Sequence, residues 1–166
     1  MHGSGGPSEI FAQLVDSLNP GEQVDSTLAP LICTGILGKP GNLVELRHQL
    51  ERWAARTGLP APAVADLVLS TYEALANAAE HAYPSGTGPV DMVAARTTDG
   101  RVLVSVSDHG RWRPPPADPG FRGRGLLMIR ALAHRVEVRQ GSHGTTVHME
   151  WAWPVTGPGS ATAQHE

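Results

Sequence analysis

Apolar residues recur at Leu43, Leu46, Leu50 and Trp53, with Arg47, Glu51, Arg52 and Arg56 between them. That spacing predicts one amphipathic helix, which Gly58 closes. Pro60 and Pro62 open a second helical pattern running to about Tyr83, with Val64, Val68, Tyr72, Leu75 and Ala79 as its expected buried stripe and Pro84 as its stop. Upstream, Ile10, Phe11, Leu14, Val15 and Leu18 share a helical spacing that ends at Asn19-Pro20-Gly21, so a short appended helix is expected. Leu28–Leu37 is apolar, broken by Pro30 and Gly35, and reads as one strand. From Val90 the period changes to two. Val90–Thr97 and Arg101–Ser107 form a hairpin about Asp99-Gly100. Consecutive prolines in Arg111–Gly120 exclude regular structure there. Gly125–Arg135 is again helical, with Leu126, Ile129, Leu132 and Ala133 expected inward. Val136–Arg139 and Thr146–Trp153 close the chain as a hairpin across Gly141–Gly144, in which Val147, Met149, Trp151 and Trp153 alternate with polar or small residues.

Strand, helix, helix, hairpin, loop, helix, hairpin is an α+β order. It predicts a two-layer α/β sandwich, a mixed but mostly antiparallel sheet with helices on one face. At 166 residues one domain is expected, spanning 28–153, with flexible Gly/Ser-rich or polar tails at 1–27 (carrying the appended helix) and 154–166. Thirteen Lys and Arg against 16 Asp and Glu leave a net charge of -3, which argues against a protein built to grip nucleic acid. No apolar run approaches a bilayer span, and the opening MHGSGGPSE lacks the order of a signal peptide, so no membrane association is expected. The single Cys33 excludes an intrachain disulfide and a cysteine zinc cluster, and a cytoplasmic location is expected.

Four pieces of this pattern carry chemistry. In EALANAAEH, Glu73 and Asn77 are four residues apart, so a carboxylate and an amide address one volume that neighbouring alanines keep open. Asp108 falls where the Val102, Val104, Val106 alternation calls for another apolar residue, and Gly110 follows it. A carboxylate at the buried end of a strand wants a donor. Gly123-Arg124-Gly125-Leu126 directly precedes a helix, whose free N–H groups and dipole favour an anion such as phosphate. Gly144-Thr145-Thr146 supplies hydroxyls at a tight turn. Each piece alone reads equally as a solvated helix face, a turn cap or a plain hairpin.

In order, these pieces resemble the nucleotide site of the GHKL superfamily, the Bergerat fold. The wording EALANAAEHAY, VSVSDHGRWRPPP, GFRGRGLLMIRAL and GTTVHMEW is most similar to its anti-sigma-factor serine/threonine kinases, in particular the actinobacterial form found in multidomain regulators beside phosphatase and anti-anti-sigma domains. The resemblance covers about Leu28 to Trp153. It implies an ATP- and Mg²⁺-dependent transferase in transcription regulation and stress response, which phosphorylates an anti-anti-sigma (STAS) protein and sequesters a sigma factor, with a homodimer among the implied assemblies. It makes Glu73 the base and Asn77 the Mg²⁺ ligand. It gives Asp108 the adenine amine, with Gly110 providing clearance. Arg122, Gly123, Arg124, Gly125 and Leu126 fall at the phosphates, Thr145 and Thr146 beside Asp108, and Arg111–Phe121 in the lid. The chain departs from the family pattern at Arg111-Trp112-Arg113, where many relatives carry a second glycine and an acidic residue. The alternative reading is a catalytically weak nucleotide-binding module that regulates a sigma factor by binding only.

Overall fold

The computed structural model describes residues 7–83, 86–111 and 124–153. The chain runs α1 (Pro7–Asp16), β1 (Leu31–Leu37), α2 (Pro40–Ala54), α3 (Ala61–His81), β2 (Pro89–Arg96), β3 (Val102–Asp108), α4 (Arg124–Leu132), β4 (Arg135–Gly141) and β5 (Gly144–Trp151). The expected lid beyond Arg111, and positions 1–6 and 154–166 of the expected tails, lie outside the described residues.

The architecture is an α+β sandwich on one five-stranded sheet in the order β1-β2-β3-β5-β4. Every ladder is antiparallel, so the parallel pairing implied by a mixed sheet is absent among the described strands. The reason is in the connections. Two helices between β1 and β2 return the chain in the opposite sense, and β5 inserts between β3 and β4, which a single helix joins.

The main core lies between the sheet and α2, α3 and α4, where Leu46, Leu50, Leu67 and Leu75 meet Met92, Val104, Val106, Met149 and Trp151. All four apolar positions expected for α2 are buried. Trp53 satisfies its indole N–H on the Ala29 carbonyl at 2.9 Å, which ties α2 to the segment entering β1. The stripe expected for α3 is rotated and widened. Ala63, Leu67, Ser70, Thr71, Ala74 and Ala78 are buried with Val68 and Leu75, while Val64, Tyr72 and Ala79 are only partly covered. A helix flanked by α2 and α4 and seated on a sheet buries a wide arc, and burial of Leu67 alone contributes about 1.5–3 kcal/mol.

The helices do not all share one face. Ile10 and Leu14 of α1 pack against Val93, Ala95 and Leu103 on the opposite side of the sheet. Behind α1, Val24 bridges Thr97. Arg96 Nε donates to Asp25 Oδ2 at 2.9 Å, and Arg101 pairs with Glu22, Asp99 and Glu150.

Candidate functional site

α3 continues without a break through EALANAAEH because alanine and the unbranched Glu and Leu favour helix and Asn77 is outnumbered. Glu73 and Asn77, one turn apart, are half-buried. Against them lies the start of α4, where a Cβ on the buried Gly125 would collide with Glu73 Oε1 and stand 2.9 Å from Asn77 Nδ2. Only a residue without a side chain lets the helix end approach so closely. The first N–H groups of α4, which have no partners within the helix, therefore open beside a carboxylate and an amide. Arg124 is the first residue of α4 and is exposed; Arg122 and Gly123 lie outside the described residues.

The expected inward face of α4 needs correction at Leu126, which is 36% exposed, as Leu127 is at 67%. The helix buries the expected Ile129 and, in place of Leu126, Gly125, with the expected Ala133 packed on the core beyond and Leu132 partly covered. Gly125, which lies against α3, and the core residues Ile129 and Ala133 share one helix face at i, i+4 and i+8, which turns Leu126 outward.

The second group sits where β3 ends. Asp108 Oδ1 accepts the Gly110 N–H at 3.0 Å and the Thr145 N–H at 3.2 Å. Burial pushes the Asp108 carboxyl up from its ordinary value, against the pull of those two donors. Two glycines permit the arrangement. A Cβ on Gly110 would strike the Ala82 carbonyl, and one on Gly144, whose φ is +136°, would strike the Asp108 carbonyl. Thr145 thus reaches Asp108 through its backbone. Thr146 does not; its hydroxyl lies 2.9 Å from Ser107 Oγ, on the other face of the strand by alternation.

The two groups meet along one helix. Ala82, against which Gly110 packs, follows Asn77 by five residues, about 7.5 Å of helix axis. The structure thus brings Glu73, Asn77 and Gly125 together, gathers Asp108, Gly110, Gly144 and Thr145, and joins the two sets through the end of α3. His81, exposed and 3.8 Å from Glu80, takes no part. A groove of about 590 Å³ between α2 and α3, lined by Val64, Val68, Leu69 and Tyr72, contains neither Glu73 nor Asn77.

Sequence reasoning missed Tyr83 and Asp91. Tyr83 donates its hydroxyl to the Pro89 carbonyl at 2.6 Å and accepts the His109 N–H at 2.9 Å, and its ring occupies the space a Cβ on Gly88 would need. Asp91, 2% exposed in β2, accepts the Gly35 N–H at 2.6 Å and lies 2.5 Å from His109 Nε2. The available signal was an acidic residue amid Val90, Met92 and Val93.

The arrangement offers acceptors at one end and an anion-favouring helix start at the other. Among the described residues, no group of three or more His, Cys, Asp or Glu side chains is placed to hold a metal by itself, so a cation here needs ligands from a bound molecule as well. No described helix is long and apolar enough to cross a membrane.

The model of the family described as histidine kinase-like ATPase domain matches residues 36–151. Among solved structures, the RsbU and RsbW domains of Rv1364c from Mycobacterium tuberculosis align with 30% identity and a TM-score of 0.60, covering 74% of this chain and 32% of that one. The blue-light activated histidine kinase EL346 of Erythrobacter litoralis aligns with 21% identity and a TM-score of 0.50, over 67% of this chain and 40% of that one, a likeness of fold. The chain spans less than half the length of either.

Proposed function

The chain belongs to the histidine kinase-like ATPase domain family, and from that premise we propose that it is an ATP- and Mg²⁺-dependent protein serine kinase that phosphorylates an anti-anti-sigma (STAS) protein and sequesters a sigma factor when not so engaged. Family membership implies ATP binding; the choice of substrate and partner rests on the sequence resemblance and on the 30% identity with a structure that includes an RsbW domain. One observation carries the reading: Glu73 and Asn77 converge against Gly125, whose missing side chain lets the start of a helix come up to both.

The residues present fit the nucleotide and its cation. Asp108 Oδ1 is occupied by two backbone donors, which leaves Oδ2 to accept the exocyclic amine of adenine. The N–H groups at the start of α4 and the guanidinium of Arg124 favour the phosphates. Mg²⁺, held by the Asn77 amide oxygen and the phosphates, would neutralise charge on the transferring group. Glu73 takes the proton of the attacking serine hydroxyl, whose oxygen bonds to the γ-phosphorus as the bond to the β–γ bridging oxygen breaks and ADP departs. Positioning and electrostatics supply most of the rate in such a transfer.

The test is incubation with Mg²⁺, ATP and a panel of STAS proteins, followed by intact-mass measurement. A single added phosphate on one partner supports the kinase. Tight ATP binding with no transfer to any partner moves the assignment to a nucleotide-binding module.

A further inference from the structure

A carboxylate almost wholly inside the protein is costly unless every oxygen is used, so its partners indicate what it is for. Asp91 is 2% exposed on the face of the sheet turned away from Glu73 and Asn77. It pairs with Ser107 across the β2–β3 ladder. Its Oδ1 accepts the Gly35 N–H at 2.6 Å, where the β1–β2 register shifts between Cys33 and Ile36. Its Oδ2 lies 2.5 Å from Nε2 of His109, the residue between Asp108 and Gly110. The His109 backbone N–H is held separately by the Tyr83 hydroxyl at 2.9 Å.

Three strands and the end of α3 therefore converge on one peptide turn. Gly110 presses against the Ala82 carbonyl from one side, and Asp91 holds the His109 ring from the other. The Asp108 side chain, with a single oxygen left for a ligand, takes its direction from this turn.

We infer that Asp91 and His109 are positioning residues for the base-recognising carboxylate: the contact between the buried Asp91 carboxylate and the His109 ring sets the Asp108–Gly110 turn from the reverse face of the sheet and so sets affinity for the purine part of the nucleotide. This rests on the assignment of Asp108 to adenine. It requires no contact between Asp91 and any ligand. If instead Asp91 only satisfies the Gly35 N–H, its loss lowers stability without touching the affinity of the folded protein.

The test measures binding of adenosine and of MgATP by calorimetry on the full chain, well below its thermal midpoint. Asp91→Ala should weaken both ligands by the same factor of about ten, because the defect lies at the base. Asp91→Asn, which can accept from Gly35 and donate to His109, should restore most of that loss. His109→Ala leaves the buried network of Gly35 in place, so it keeps the test open should Asp91→Ala fail to fold; it should weaken adenosine equally, and the double variant should be no weaker than either single one. Unchanged adenosine affinity in folded Asp91→Ala or His109→Ala, alongside a weakened Asp108→Asn, overturns the positioning role alone. A parent that does not bind adenosine, or an Asp108→Asn that binds it as the parent does, overturns the adenine assignment and this inference with it.

Discussion

The two halves of the site are built from different materials. At the end of β3, recognition depends on backbone: Asp108 is fixed by two main-chain N–H groups, and Gly110 and Gly144 lie against main-chain carbonyls. Along α3 it depends on side chains. The Glu73 and Asn77 side chains form no hydrogen bond among the described residues, and the surface facing them is Gly125. The strand half is set before any ligand arrives, since two main-chain donors already hold Asp108 Oδ1 and leave Oδ2 for the ligand. The helix half presents, in Glu73 and Asn77, side-chain polar atoms that have no partner among the described residues and that a ligand can engage. A half made of backbone should tolerate changes of side chain other than at its glycines and its one carboxylate, whereas the helix half should lose specific steps when specific atoms are removed.

The largest effect expected is on the helix half. Glu73→Gln preserves size and helix propensity but removes the basic oxygen, so transfer to a cognate STAS protein should fall about 10²- to 10⁴-fold with MgATP affinity nearly unchanged. Asn77→Ala should lose Mg²⁺-dependent affinity together with turnover. A Glu73→Gln protein that transfers at the parent rate would remove the distinction between the halves.

Next come the glycines, read by denaturant unfolding. Gly144→Ala adds a Cβ at φ +136° against a main-chain carbonyl and should cost about 3 kcal/mol or more. Gly125→Ala meets the ends of two side chains and should cost about 1–3 kcal/mol. The sharper contrast is in rescue. Truncating Glu73 to Ala should recover much of the stability lost in Gly125→Ala, whereas no side-chain truncation should recover Gly144→Ala, because its obstacle is the backbone of Asp108.

Asp108→Asn should weaken ATP by about 1.5–3 kcal/mol, and the parent should discriminate against GTP, whose O6 offers an acceptor to an acceptor. Equal affinity for ATP and GTP would refute the assignment. Burial raises the Asp108 carboxyl in the folded protein, so acidification below neutrality protonates it there sooner than in an exposed carboxylate and removes the acceptor. ATP affinity should therefore fall as pH drops toward that raised value, and the Asp108→Asn variant should lack that pH dependence.

The smallest effect lies outside the site. Asp25 is held down to about 2 by the Thr27 hydroxyl and N–H and by Arg96. A carboxyl lowered on folding stabilises above its ordinary value of 3.8, and the contribution disappears as pH falls from there toward 2. Thermal unfolding followed through that window should show a loss in the parent that is missing in Asp25→Asn.

Much of this was legible along the chain. The four buried positions of α2, the turn at Asp99-Gly100 and the existence of every strand follow from apolar spacing and turn chemistry, which are local properties. Glu73 and Asn77 were legible as neighbours for the same reason. The face α3 buries was not, because burial depends on how many elements surround a helix, and α2, α4 and the sheet take up a wider arc than one stripe. Nor was the outward turn of Leu126, which follows from close approach at Gly125. Thr145 meets Asp108 through a backbone N–H that every residue except proline possesses, so its identity carried no signal. Asp91 finds His109 across 18 residues, and α1 finds the far face of the sheet. Periodicity along the chain thus determined which elements form and which residues within an element are neighbours. Strand register and helix packing, which join residues distant in sequence, alone decided which of those neighbours share a site.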